Sequence, residues 1–159
     1  MEDMRFRVSA AAPSSARQAV GLRAELEPYP DLRFAAMLLA SELAANAVRH
    51  AGLADGDSFV LSVTCDEETL HVDVRDSRSG FNPLALIAVH RHRGERHRGL
   101  ILVDALADRW GYRRARNECC VWFELDLVPG RRPWAGRVAS RAPRLRQREE
   151  GDERIRTAE

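Results

Sequence analysis

Leu38-Leu39-Ala40-Ser41-Glu42-Leu43-Ala44-Ala45-Asn46-Ala47-Val48-Arg49-His50-Ala51 is the stretch that decides how this chain folds. At about 100° per residue, Glu42, Asn46 and His50 fall on one narrow stripe, each four residues apart. Nearly everything else from Met37 to Val48 is Ala, Leu, Met or Val, so the helix is expected to be buried on most sides. A polar stripe on such a helix must face partners, solvent or a ligand. A solvated helix edge explains the stripe equally well when the helix is taken alone.

Outward from this helix the chain divides into recognisable pieces. Tyr29-Pro30-Asp31 precedes it, so the helix should run from about Leu32 to His50, stopped by Gly52 and the Ala54-Asp55-Gly56-Asp57 cluster. Upstream, Arg5 to Val8 alternates polar and apolar as a short strand does. Pro13-Ser14-Ser15 then starts a helix whose apolar stripe (Ala16, Val20, Leu22, Leu26) reaches Pro28. Downstream, Phe59, Leu61, Val63 and Cys65 form one alternating strand. Leu70, Val72 and Val74 form another, and Asp66-Glu67-Glu68 is the hairpin connection between them. Leu84–Val89 is a short apolar stretch expected to be helical, and residues 90–98 (HRHRGERHR) form a cationic loop. Gly99 opens a helix from Leu100 to about Asp108, Trp110-Gly111-Tyr112 leads out of it, and Cys120–Leu127 closes the domain as a strand. No repeat of 20–50 residues is present. Helices mixed with antiparallel hairpins predict an α+β fold, a two-layer α/β sandwich whose mixed, mostly antiparallel sheet carries helices on one face.

Size and charge set outer limits. The 159 residues suit one domain, and an apolar share of 45% is enough for one core. All 25 basic residues are arginine, against 24 acidic ones, so Schiff-base and P-loop lysine chemistry is excluded. Residues 1–128 hold 16 arginines and 19 acids, whereas residues 129–159 hold 9 and 5. The last stretch also has three prolines and few large apolar residues, so the domain is expected over 5–128 and an arginine-rich, flexible tail over 129–159. The near-neutral balance disfavours direct nucleic-acid binding. No apolar run approaches the ~18 residues of a membrane span. There is no secretory leader pattern, and the three cysteines suggest neither a disulfide framework nor zinc, so a cytoplasmic setting is expected.

Two further segments carry chemistry. Val74-Arg75-Asp76-Ser77-Arg78-Ser79-Gly80-Phe81 places a carboxylate at a strand end before a small-residue turn. There it can accept a hydrogen bond from a ligand amino group, while Gly80 admits a close backbone approach. Gly94–Gly99 is a loop ending at a helix N-terminus, whose free N–H groups and dipole suit an anion such as phosphate, and Arg91, Arg93, Arg96 and Arg98 sit in or beside it. Either segment alone is an ordinary turn or a solvated charged loop.

In this order, SELAANAVRHA (41–51), VRDSRSGF (74–81), ERHRGLILVDALADRWG (95–111) and VWFEL (121–125) resemble the GHKL, or histidine-kinase-like, ATPases, which share the Bergerat-type ATP-binding fold. The group they resemble most within it is the stand-alone anti-sigma-factor serine kinases. By that resemblance Asn46 holds Mg²⁺ on the ATP phosphates, and Glu42 is the general base that activates a serine hydroxyl or water. Asp76 reads the adenine amino group, Gly80 lies beside the base, and Arg98, Gly99 and Leu100 meet the phosphates where the lid joins its helix. His50 is a structural or site-edge residue.

The chain departs from the family pattern at three places. His97 stands where relatives carry a second lid glycine, Arg78 stands two residues after Asp76 in place of glycine, and Glu118-Cys119 replace Gly-Lys. With no lysine in the chain, any side-chain cation on phosphate must be arginine, expected from the 91–98 lid. The resemblance implies an ATP-dependent serine/threonine protein kinase acting on a small antagonist protein, with a sigma factor as competing partner and a homodimer left open. The alternative is an interaction module that binds its partner with or without ATP and catalyses nothing. A two-component histidine kinase is not expected, because the sequence offers no helical hairpin with a phosphoacceptor histidine.

Overall fold

The structure, a computed structural model, describes residues 2–50, 57–77, 98–115, 118–127, 145–148 and 153–157. Strand β1 (Glu2–Arg7) leads into helix α1 (Ala12–Gly21), a 3-10 turn (Ala24–Leu26) and the long helix α2 (Pro30–His50). The hairpin β2 (Ser58–Cys65) and β3 (Thr69–Asp76) comes next, then helix α3 (Arg98–Leu106). Strands β4 (Arg109–Ala115), β5 (Glu118–Asp126), β6 (Leu145–Arg148) and β7 (Glu153–Thr157) complete the described chain. The strands form one sheet in the order β1-β2-β3-β5-β4-β7-β6, and every pairing is antiparallel. Helix α2 packs on α1, α3 and the central strands, which gives the helix-over-sheet sandwich expected from the sequence.

Periodicity explains which face each element buries. On α2 the buried positions Ala36, Leu39, Ala40, Leu43, Ala44 and Ala47 follow the i, i+3, i+4 rule, and the alanines let α2 lie close to its neighbours. On α1 the corresponding row is Ala12, Ala16 and Val20, with Pro13 in the first turn where its missing N–H costs nothing. Helix α1 ends at Gly21, short of Pro28, and Leu26 reaches the core through the 3-10 turn. Phe59, Leu61 and Val63 of β2, Leu70, Val72 and Val74 of β3, and Val121, Phe123 and Leu125 of β5 alternate onto the helix-covered face.

Where the sequence suggests only an exit from α3, the structure has a full strand, β4. Trp110 and Tyr112 point into the core, and Trp110 Nε1 donates to Asp104 Oδ1 of α3 at 3.0 Å. Gly111 lies directly across from Trp122 in the β4–β5 register. Residues 145–148 and 153–157, inside the stretch expected as a tail, add β6 and β7 to the β4 edge. Arginine and glutamine dominate β6, so no apolar alternation marks it.

The other face of the sheet is polar and cross-linked. Ser62 Oγ donates to Asp3 Oδ1 at 2.7 Å, and Arg75 Nη2 donates to Asp3 Oδ2 at 2.9 Å. Arg109 spans Glu124 and Asp126, His71 Nδ1 lies 3.2 Å from Glu124 Oε1, and His71 stacks on Trp122. The hydrogen bond with His71, reinforced by Arg109, holds the Glu124 carboxyl below its usual range despite partial burial, which acts the other way. A depressed folded-state value means that ionised Glu124 stabilises the fold above its unfolded value near 4.3, and that this contribution fades as pH falls through the folded value. Glu124→Gln is therefore expected to cost about 1 kcal/mol at pH 7 and to flatten the loss of stability below pH ~4.5, read from urea titrations across pH 3–7. An unchanged acid limb would remove Glu124 from that role.

Candidate nucleotide site

Asp76 is the most informative residue of β3. Its side chain continues the apolar row Leu70, Val72, Val74 onto the helix-covered face, and it is only 7% exposed. Its register partners are Phe59 on β2 and Cys119 on β5, both fully buried. A carboxylate as the fourth member of a buried apolar row is costly unless it meets a donor. The strand end therefore places a carboxylate among apolar neighbours, the kind of group that can read a ligand amino group.

Helix α2 supplies the second element. Asn46 is 8% exposed, and its Nδ2 is buried with no hydrogen-bond partner among the described residues. Buried amides are almost always paired, so this one is a candidate for pairing with a ligand. Glu42, one turn earlier, is half-buried. Its Oε2 lies 3.9 Å from Arg49 Nη2, and Arg49 Nε donates to Ala45 O at 3.2 Å. Sequence reasoning misses Arg49, although a signal for it is present. Seven residues after Glu42 returns to the same helical stripe within about 20°.

Helix α3 closes against this pair. Gly99, in its first turn, packs directly on Glu42: a Cβ at this position would collide with Glu42 Oε2 and come within 3.3 Å of Glu42 Cβ and Cδ. Its φ is not in the left-handed region, so available space, and not backbone conformation, is what favours glycine here. Glycine is about 1 kcal/mol poorer than alanine inside a helix, so its presence is informative. Leu100 is buried in the core, so only its backbone is available at the α3 start.

The structure thus brings Glu42, Arg49 and Gly99 into contact, with Asn46 one turn along α2 and Asp76 on the strand over which α2 packs. Gly80, His97 and the arginines at 91, 93 and 96 lie outside the described residues, as do the side chains of His50 and Arg98. Cys120 points to the polar face, where burial pushes its thiol up to about 11, so it is not a nucleophile at neutral pH. Among the described residues no cluster of three or more His, Cys, Asp or Glu is arranged to hold a metal ion. A hard cation here would rest on one protein oxygen and the phosphates it accompanies, which is the usual manner of Mg²⁺. Asn46 Oδ1 would be that oxygen, whereas its unpaired Nδ2 is a donor and suits a phosphate oxygen, not the cation.

Among the described residues, a buried carboxylate at a strand end, an amide nitrogen without a partner on the covering helix and a second carboxylate against a helix start share the helix-covered side of the sheet, a layout suited to a nucleotide. The sequence comparison agrees: residues 8–125 match the histidine kinase-like ATPase domain. The chain belongs to this family of ATP-binding domains. No curated protein matches it. No helix among the described residues is long and apolar enough to cross a membrane.

Proposed function

We propose that this protein is a cytoplasmic ATP-binding regulator that transfers the ATP γ-phosphate to a serine or threonine of a small antagonist protein. This is the activity of the anti-sigma-factor serine kinases that its motifs resemble. The observation that carries the reading is Glu42, a carboxylate fixed beside the α3 start and one turn from the unpaired Asn46 amide. Asp76 would accept from the adenine amino group, and the Asn46 amide would supply one oxygen to Mg²⁺, which neutralises phosphate charge when bound. The first-turn amides of α3 would point at the phosphates. Glu42 would take the proton from the attacking hydroxyl as its oxygen bonds to the γ-phosphorus and the bond to the bridging oxygen breaks, with ADP as leaving group.

Glu118-Cys119, in the place of the Gly-Lys of relatives, supports a second reading, an interaction module that holds a sigma factor or antagonist without turnover. One experiment separates the two. Wild-type protein should bind Mg-ATP in calorimetry and pass labelled γ-phosphate to a co-purified partner. Binding without transfer would favour the module, and no binding would sink both the site and the kinase. Asp76→Asn serves as the control for base recognition. Its amide can donate where the carboxylate accepts, so ATP affinity is expected to fall at least tenfold, with discrimination against GTP reduced. Unchanged selectivity would remove Asp76 as the adenine reader.

A further inference from the structure

We infer that Gly99 is a positioning residue for Glu42: its missing side chain is the space that the Glu42 carboxylate occupies, and this contact couples the phosphate-side helix α3 to the carboxylate on α2. The usual reason for a glycine at a helix start facing phosphate is access of the ligand to the backbone. Here the atoms that would meet a Cβ on Gly99 belong to Glu42, with its Cβ and Cδ at 3.3 Å and its Oε2 closer still. The same Oε2 lies 3.9 Å from Arg49 Nη2. The same carboxylate oxygen therefore lies near both the α3 backbone and the Arg49 guanidinium. Both helices are otherwise anchored in the core, through Leu43 and Ala47 on α2 and Leu100 and Val103 on α3. A Cβ at position 99 must then displace the carboxylate, because neither backbone is free to move away.

The inference rests on the proposed ATP site for its catalytic meaning, but the contact can be tested without nucleotide. Gly99→Ala and Glu42→Ala are combined in a double-mutant cycle read by thermal melting of the full chain. In the wild-type background Gly99→Ala should lower Tm by several degrees. In the Glu42→Ala background, where two of the three close atoms are gone, the same change should leave Tm unchanged or raise it, since alanine is the better helix former. An equal loss of Tm in both backgrounds would overturn the inference, as the obstacle would not be Glu42. If Gly99→Ala does not fold, recovery of folding in the double variant supports the contact, and failure of both variants overturns it. With ATP, Gly99→Ala should lower kcat at least tenfold while KM for ATP moves less than twofold. A KM effect that persists in the Glu42→Ala background would mean that glycine serves the ligand, and would overturn the positioning role. Failure of wild type to bind Mg-ATP would count against the proposed function alone, because the melting cycle decides the contact without nucleotide.

Discussion

Asn46→Ala should abolish measurable Mg-ATP binding, a loss of at least about 100-fold, or ~3 kcal/mol. The expected size follows from the amide's place in the structure. It is buried on α2, its Nδ2 has no partner among the described residues, and in the proposed site that donor would meet a phosphate oxygen of the bound complex. The same fact predicts an unusual stability result. Removing a paired buried amide would leave its partner stranded, but Asn46 Nδ2 strands nothing. Relief of the unpaired donor and the small cavity left behind act in opposite directions, so Tm of the nucleotide-free protein should change by no more than the equivalent of about 1 kcal/mol. Calorimetry and melting on one preparation test both halves. Unchanged Mg-ATP affinity, or a collapse of the fold, would show that Asn46 is structural.

Glu42→Ala should separate binding from transfer. General bases contribute about 10²–10⁴-fold to rate, so labelled phosphate transfer to the partner should fall by that factor while ATP affinity stays within a few-fold of wild type. Glu42→Gln should behave similarly, because it keeps the shape beside Gly99 and removes the acceptor for the proton. Full transfer in either variant would eliminate Glu42 as base. Arg49→Ala gives a graded control. It removes the cation 3.9 Å from Glu42 Oε2 without touching the carboxylate, and should lower transfer less than either change at Glu42.

Much of the fold is written in short-range pattern. The 3.6 period of α2 and the twofold alternation of β2, β3 and β5 predict elements that the structure reproduces to within a few residues. Strand β4 is not legible in the sequence because Arg109, Arg113 and Arg114 surround a Trp-Gly-Tyr core that reads as a turn. Pairing with β5 makes it a strand. Strands β6 and β7 are likewise invisible in a sequence dominated by arginine, glutamine and glutamate.

The site divides in the same way. Sequence alone determined that Glu42 and Asn46 share a helical stripe, that Asp76 ends a strand, that Gly99 begins a helix and that no lysine can serve any of them. These are properties of spacing and composition. Only the tertiary structure decided that the Asn46 amide has no partner among the described residues, that Asp76 replaces a hydrophobic residue in a buried row, and that Arg49 and Gly99 meet at one oxygen of Glu42. Burial and contact depend on what a distant segment places opposite a residue. Gly99 comes from a helix 57 positions after Glu42 in the chain, and no local pattern records that the two must share the space of one side chain.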